Sequence, residues 1–263
     1  MGPVLPRASS LAKRAVSALA LAPPVLAAIW LGPPWSDLLI LVAAVILLWE
    51  WLRLVGHGAV NAGTVLMTAS LLGSLLLGAL AEWVWAAALL AGGTILAVLL
   101  ARQRPFWLAA AGPYLGLPGF ALLWLRDRPD GLEAVIWLLL VVWSVDIFAY
   151  VAGRAIGGAL LWPKVSPRKT WAGLAGGVIA AAIVGGLLGL AVEGRQPLAL
   201  ALLAAGLAVV AQGGDLLESA VKRHFGVKDA SGIIPGHGGL LDRVDGLLAA
   251  SIATAAALWL ALA

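Results

Sequence analysis

The chain contains no cysteine among its 263 residues. That absence excludes a disulfide framework, a thiolate metal site and a cysteine nucleophile, and it leaves the redox compartment of the protein undetermined. Histidine is also scarce, with three residues, and no two of them have the spacing of zinc ligands. A zinc site is therefore not expected.

Charged residues are nearly as scarce: they make up 11% of the chain, against 62% hydrophobic residues. The mean hydropathy is +1.02, which is typical of a membrane protein and not of a soluble globular domain. The formal net charge of +4 does not indicate a nucleic-acid partner, because no basic patch with interleaved aromatic residues accompanies it. We expect the Lys and Arg side chains to face phospholipid headgroups or to set the membrane topology.

Long apolar runs are abundant, and a run of roughly 17 to 25 residues can cross a bilayer as a helix. The third and fourth runs are separated only by Glu82, and one helix through both would be about twice as long as the hydrocarbon is thick. A tight hairpin is therefore predicted there. The nine predicted spans are 15 to 31, 36 to 54, 64 to 81, 83 to 101, 106 to 125, 134 to 152, 172 to 192, 197 to 214 and 246 to 263.

The distribution of Lys and Arg predicts the orientation of these spans. With a cytoplasmic N-terminus, only Arg126, Arg128 and Arg195 of the 17 basic residues fall outside. This asymmetry favours nine spans and a cytoplasmic N-terminus. We expect an all-α, multi-pass protein of the cell (inner) membrane. Ionisable residues gather near the predicted cytoplasmic helix ends from residue 144 onward. We therefore expect residues 1–132 to hold about five N-terminal helices and residues 133–263 to form a catalytic region of about four.

One charged and glycine-rich segment, between Ser219 and Asp245, is the most specific pattern in the chain. Its defined positions read Ser219-Ala-Val-Lys222-Arg223, Lys228-Asp229, Pro235-Gly-His237-Gly238-Gly239 and Asp242-Arg243-Val-Asp245. The segment resembles the signature of the CDP-diacylglycerol synthase family, the phosphatidate cytidylyltransferases. The resemblance extends upstream to three further motifs, at residues 212–219, 166–171 and 146–154.

The resemblance departs from the family pattern at two positions. Arg168 stands where Asn or Lys is more usual, and Ala172 stands where many members carry Glu. The resemblance implies an enzyme that uses CTP and phosphatidate. The carboxylates of these motifs lead us to expect Mg²⁺, and their number a second cation such as K⁺. The implied active site lies at the cytoplasmic membrane surface.

The residue types and the resemblance together predict a set of site residues. The predicted catalytic residues are Asp215, Asp242, Lys222, Arg223 and His237. The predicted CTP-binding residues are Ser166, Lys169, Thr170, Ser219, Lys228, Gly238, Gly239 and Arg243. The predicted metal ligands are Asp215, Asp242, Asp245 and Asp146.

A helix over residues 215–225 would place four of the polar residues on one face. Asp215, Glu218, Ser219 and Lys222 follow at i, i+3, i+4 and i+7. Ionisable groups near lipid are costly, which favours a functional site. The alternative is a helix end stabilised by an internal Lys and Glu pair.

The segment around Gly238 and Gly239 can form an anion-binding concavity of backbone N–H groups. Asp242 and Asp245 follow it, and carboxylates beside a phosphate indicate a divalent cation. The alternative is a glycine-rich turn with Asp at the start of the last helix. His237 is then a hydrogen-bonding turn residue.

Upstream of that segment, two motifs allow both structural and functional interpretations. The pair Ser166 and Pro167 predicts a helix N-cap. In the functional interpretation, the amides that follow the cap bind an anion together with Lys169. In the structural interpretation, the motif only caps a helix at the membrane interface. Asp146 and Arg154 share one face of a predicted helix. Asp146 is therefore either a site residue or the structural partner of Arg154.

Two features outside these motifs concern packing and the bilayer surface. Glu50, between two Trp residues, is interpreted as an interfacial residue. The spacings Gly173 to Gly177 and Gly185 to Gly189 predict close helix contacts, within the chain or in a homodimer.

Two rival functions remain at this point. One is a CTP-dependent enzyme that acts on another lipid, such as an archaeal ether-lipid cytidylyltransferase or a polyprenol kinase. The other is a transporter, which would spread its charges through several spans instead of gathering them at one side.

The predicted orientation is tested by labelling, because the chain has no native Cys. A single Cys introduced near Asp130 should react with an impermeant thiol reagent added from outside intact cells. One introduced near Lys164 should react only after the membrane is permeabilised. The opposite pattern would contradict the predicted orientation.

Overall fold

The computed structural model describes residues 8–101, 103–191 and 196–261, so Arg7, Arg102 and Arg195 of the orientation argument lie outside the described residues. Nine helices form within these ranges, one for each predicted span. They are α1 (Ala8–Leu31), α2 (Trp35–Leu54), α3 (Ala62–Ala79), α4 (Trp83–Leu100), α5 (Pro105–Asp127), α6 (Gly131–Ile156), α7 (Trp171–Leu190), α8 (Pro197–His224) and α9 (Leu241–Leu260). The predicted all-α membrane fold is confirmed.

Seven of these helices, α3 to α9, are long and apolar enough to cross a membrane. A helix suits the hydrocarbon because it satisfies every internal backbone N–H and C=O within one segment. The exact number of spans and the cytoplasmic N-terminus stay predictions.

The predicted hairpin between the third and fourth apolar runs is confirmed as the connection between α3 and α4. Ala81 turns the chain with a φ of 61°, and the Glu82 N–H donates to the Leu77 carbonyl at 2.9 Å. The two helices then pack closely, with Gly93 of α4 facing Ser70 of α3.

A short antiparallel hairpin interrupts the helices between α6 and α7. Its strands are β1 (Leu160–Trp162) and β2 (Ser166–Thr170), with Leu160 opposite Thr170. The predicted helix N-cap at Ser166 is therefore wrong, because the chain stays extended as β2 from Ser166 to Thr170 and the next helix begins only at Trp171. Thr170 caps α7 instead, and its Oγ1 accepts the Gly173 N–H at 3.0 Å.

The chain divides into two compact units. Unit 1 comprises Met1–Gly112 and Asp229–Arg243, and unit 2 comprises Pro113–Lys228 and Val244–Ala263. The C-terminal segment 229–243 thus packs with the N-terminal helices. The predicted division of the chain at residue 132 into N-terminal helices and a catalytic region stays a prediction.

Glycines allow the helices of unit 2 to pack at close range. A Cβ on Gly173 would lie 2.8 Å from the Ala149 carbonyl oxygen of α6. A Cβ on Gly185 would lie 2.5 Å from the Ala204 Cβ of α8. The close contacts predicted from the glycine spacings are confirmed within the chain, and a homodimer stays a prediction.

Two adjacent glycines of α4 provide a matched test of the α3–α4 contact. A Cβ on Gly93 would lie 1.9 Å from the Ser70 Oγ and 2.3 Å from its Cβ, whereas a Cβ on Gly92 would meet nothing within 4 Å. We expect Gly93→Ala to cost about 1–3 kcal/mol through overpacking. Gly92→Ala should be neutral or stabilising by about 1 kcal/mol, because Ala favours helix.

Thermal unfolding of both variants in detergent measures the difference. Equal midpoints for the two variants would contradict the close packing of Gly93 against Ser70.

Candidate functional site

The C-terminal half of α8 carries the polar face predicted from the sequence. Lys222 Nζ forms an ion pair with Glu218 Oε2, and Ser219 Oγ donates to Asp215 Oδ1 at 3.3 Å. The predicted common face is confirmed. The internal Lys and Glu pair, which the sequence allowed as an alternative, is present on that same face.

Burial distinguishes the members of this face. Glu218 is 0% exposed and Lys222 is 8% exposed, whereas Asp215 and Ser219 are half-buried. A buried carboxylate needs a compensating charge, because water no longer solvates it. Lys222 therefore stabilises the buried Glu218 carboxylate, and it is not simply a solvent-facing charge near phosphates.

The β-hairpin contributes a second cation to the same region of unit 2. Lys169 on β2 forms an ion pair with Asp215 on α8, with Nζ and Oδ2 2.5 Å apart. Ser166 lies on the same strand, and Thr170 ends it as the cap of α7. The structure thus brings Lys169, Asp215 and Ser219 together, and a role for these residues in CTP binding stays a prediction.

Small residues bring α8 and the later turns of α9 close together. A Cβ on Gly214 would lie 2.8 Å from both the Ala249 Cβ and the Asp245 carbonyl oxygen. As a result, the Asp245 carboxylate lies within electrostatic range of Asp215, Asp146 and the Lys222 ammonium group. Unit 2 therefore concentrates three of the four predicted metal ligands.

These carboxylates fit a hard divalent cation by donor type. Within the described ranges, however, no group of three or more His, Asp or Glu side chains is disposed to hold a metal ion on its own. Mg²⁺ is commonly bound by one or two carboxylates, with water and substrate phosphates completing its shell. The arrangement is compatible with a cation that binds together with a nucleotide.

Two further basic residues of the motif lie at the C-terminal end of α8 and beyond it. Arg223 is exposed and donates to two backbone carbonyls, of Val165 at 3.4 Å and of Val227 at 3.1 Å. Lys228 is exposed as well. Both side chains are accessible, which suits contact with a soluble anion.

The remaining predicted residues lie in unit 1, in the segment before and at the start of α9. Asp242 Oδ2 accepts the Gly239 N–H at 2.8 Å and the Ala230 N–H at 3.0 Å. The predicted anion cradle needs correction here, because the Gly239 N–H points at a carboxylate of the chain itself. Gly238, with a φ of 88°, and the exposed Arg243 flank these contacts.

His237 makes local and tertiary hydrogen bonds within unit 1. Its Nδ1 lies 2.8 Å from the Ser17 Oγ, and its backbone N–H donates to the Ile234 carbonyl at 2.9 Å. These contacts support its interpretation as a hydrogen-bonding turn residue. A catalytic role for His237 stays a prediction.

Glu50 lies in surroundings different from those predicted for it. It is 0% exposed, and it accepts the Leu240 N–H at 2.9 Å, the Leu241 N–H at 2.6 Å and the Ser231 hydroxyl. The interpretation of Glu50 as an interfacial residue is wrong. The available signal was the carboxylate itself, since an ionisable residue inside an apolar helix is a functional candidate by default.

Comparison with known proteins places these residues in a sequence family. The sequence model of the cytidylyltransferase family matches residues 12–261. A protein of Brucella abortus named phosphatidate cytidylyltransferase is 48% identical over 165 residues, which are 62% of this chain and 61% of the relative. A Bacillus subtilis protein of the same name is 39% identical over 144 residues, 54% of each chain.

A third relative, from Rickettsia bellii, also carries that name. It is 40% identical over 139 residues, which are 50% of this chain and 60% of the relative. The matched region spans about 61% of the length of the Brucella relative. The family predicted from the motifs is confirmed.

The burial of Lys222 leads to a prediction about stability. Lys222→Ala should lower the thermal midpoint in detergent by about 10 °C, because removing one partner of a buried ion pair typically costs about 3–5 kcal/mol. The double variant Glu218→Gln with Lys222→Met should recover most of that loss, since no charge is then left uncompensated. Lys228→Ala is the control on an exposed lysine. Equal midpoints for Lys222→Ala and Lys228→Ala would contradict the stabilisation of Glu218 by Lys222.

Proposed function

The chain belongs to the cytidylyltransferase family, and from that premise we propose that it transfers the cytidylyl group of CTP to phosphatidate, giving CDP-diacylglycerol and pyrophosphate. The observation that carries the proposal is the 48% identity to a relative named phosphatidate cytidylyltransferase. The charged face of α8 supports it, because Asp215, Ser219 and Lys169 meet there.

The reaction needs one bond to form and one to break. An oxygen of the phosphatidate phosphomonoester attacks the α-phosphorus of CTP, and the bond from that phosphorus to the oxygen bridging the β-phosphorus breaks. Pyrophosphate leaves with that bridging oxygen and its electron pair. A phosphomonoester has a second pKa of about 6, so it is already largely ionised at neutral pH and no general base is required.

Catalysis then consists of positioning and charge neutralisation. Lys169, Arg223 and Lys228 provide positive charge for the triphosphate, and they lie on β2 and at the end of α8. Asp215 and Asp245, supported by Asp146, would hold Mg²⁺ together with the nucleotide, and K⁺ is a candidate for a second cation. Such a cation would neutralise the phosphate charge that develops during transfer. A metal-ligand role for Asp242, which lies in unit 1, stays a prediction.

The proposed site suits a substrate pair of opposite solubility. CTP arrives from water and phosphatidate from the bilayer, so the reaction has to occur at the membrane surface. The basic residues favour the cytoplasmic surface of the inner membrane by the positive-inside rule.

The activity is tested with the purified full-length chain in detergent, Mg²⁺, CTP and a lipid panel. The panel contains phosphatidate, an archaeal ether-lipid phosphate and a polyprenol, and mass spectrometry identifies each product. We expect CDP-diacylglycerol from phosphatidate at a rate at least tenfold above that with either other lipid. A phosphorylated polyprenol as the main product would overturn the proposal.

Asp215 provides the sharpest prediction for this site. Asp215→Asn keeps the side-chain size but removes the charge that pairs with Lys169, so turnover should fall more than about a hundredfold, or about 2.7 kcal/mol in the barrier. Glu82→Gln, on the exposed α3–α4 connection, is the control and should keep wild-type turnover. Retention of more than a tenth of wild-type activity by folded Asp215→Asn at saturating CTP and Mg²⁺ would contradict the assignment of Asp215 to the catalytic site.

A further inference from the structure

A buried carboxylate on an N-terminal helix holds a segment that lies some 190 residues later in the chain. Glu50 on α2 is fully buried within unit 1, and its acceptors face the chain between Ser231 and Leu241. Oε1 accepts the Ser231 hydroxyl and the Leu240 N–H, and Oε2 accepts the Leu241 N–H. Each oxygen of this carboxylate is therefore hydrogen-bonded.

The geometry resembles a helix cap that is supplied by another helix. Leu241 is the first residue of α9, and the first amides of a helix have no carbonyl partner within it. A carboxylate at this position satisfies them with charge-assisted hydrogen bonds and interacts favourably with the helix dipole. These donors compensate for the burial of the Glu50 charge.

The carboxylates of Glu50 and Asp242 accept different hydrogen-bond donors at both ends of the segment 229–241. Asp242 accepts the amides of Ala230 and Gly239, and Glu50 accepts the Ser231 hydroxyl and the amides of Leu240 and Leu241. Both the start and the end of the loop are thereby held. We name residues 229–241 the tethered loop.

The absence of a side chain at Gly239 is part of this arrangement. A Cβ there would lie 2.6 Å from the Glu50 Oε1 and 3.1 Å from the Asp242 Oδ2. Only glycine lets the backbone approach both carboxylates at once. The pair of glycines in the motif therefore serves the chain's own carboxylates.

We propose that Glu50 is a positioning residue, which holds the tethered loop and through it sets the place of His237, Asp242 and Arg243 for catalysis. The proposal rests on the cytidylyl transfer proposed above for its effect on turnover, but the tether itself does not. Glu50 does not need to touch a substrate to act in this way. Its effect should appear in the mobility of the loop and in kcat.

The variant Glu50→Gln tests the tether with little change in volume. An amide offers one acceptor oxygen where the carboxylate offers two, and its NH₂ group would oppose a backbone N–H of Leu240 or Leu241. Ser231→Ala removes one donor and leaves both amides in place. Ser231→Ala should therefore have the smaller effect.

Loop mobility is measured by a spin label, since the chain has no native Cys. Ile233→Cys places the label on an exposed residue of the tethered loop, which is 47% exposed, and Val60→Cys places a control label in the same unit at 87% exposure. We expect Glu50→Gln to increase the mobility of the label at 233 and to leave that at 60 unchanged. Equal mobility at 233 with and without Glu50→Gln would overturn the tether. A rise at both positions would show general unfolding and would overturn it too.

Kinetics connect the tether to catalysis. Glu50→Gln should lower kcat at least tenfold while the KM for CTP changes less than about threefold, and Ser231→Ala should lower kcat by about threefold. In the double variant, Ser231→Ala should add almost nothing, because its partner is already altered. A wild-type kcat in Glu50→Gln would overturn the positioning role. Failure of the wild-type chain to make CDP-diacylglycerol would instead refute the proposed function, while the label result would still decide the tether.

Discussion

The hydrocarbon of a bilayer cannot solvate a polar group, and most features of this protein follow from that constraint. Backbone N–H and C=O groups are satisfied inside helices, which is why long helices dominate the described residues. The buried charges obey the same rule. Glu218 has Lys222, and Glu50 has backbone amides and a hydroxyl. Each buried carboxylate is compensated by a specific partner, so each of these contacts restrains the position of the elements that it joins.

Close helix packing determines which polar groups can act together. In unit 2, Gly214 lets α9 approach α8 closely enough for Asp245 to interact with Asp215. In unit 1, Gly239 lets the tethered loop approach Glu50 and Asp242. These two glycines thus act by letting the backbone approach another backbone or a carboxylate. Packing and charge together create the two groups of candidate residues, one in each unit.

Helix periodicity and apolar run length predicted much of this fold, and the errors concern contacts that neither of these patterns describes. Apolar run lengths predicted all nine helices, and the spacing of Asp215, Ser219 and Lys222 predicted their common face, because both depend only on helix periodicity. The N-cap predicted at Ser166 failed because pairing with β1 keeps the residues that follow it extended as far as Thr170. Glu50 was misjudged because its partners lie up to 191 positions away, and no local pattern connects them. The Gly239 amide was misjudged for a local reason, because its acceptor is the carboxylate of Asp242, three residues further along the chain.

The central claim is that this chain transfers the cytidylyl group of CTP and not its terminal phosphate. CTP labelled with ³²P at the α or at the γ position distinguishes these reactions when the purified chain is given phosphatidate and Mg²⁺. We predict that the α label enters the lipid fraction as CDP-diacylglycerol and that the γ label leaves as pyrophosphate. Recovery of the γ label in lipid, with the α label left in a soluble nucleotide, would contradict the account.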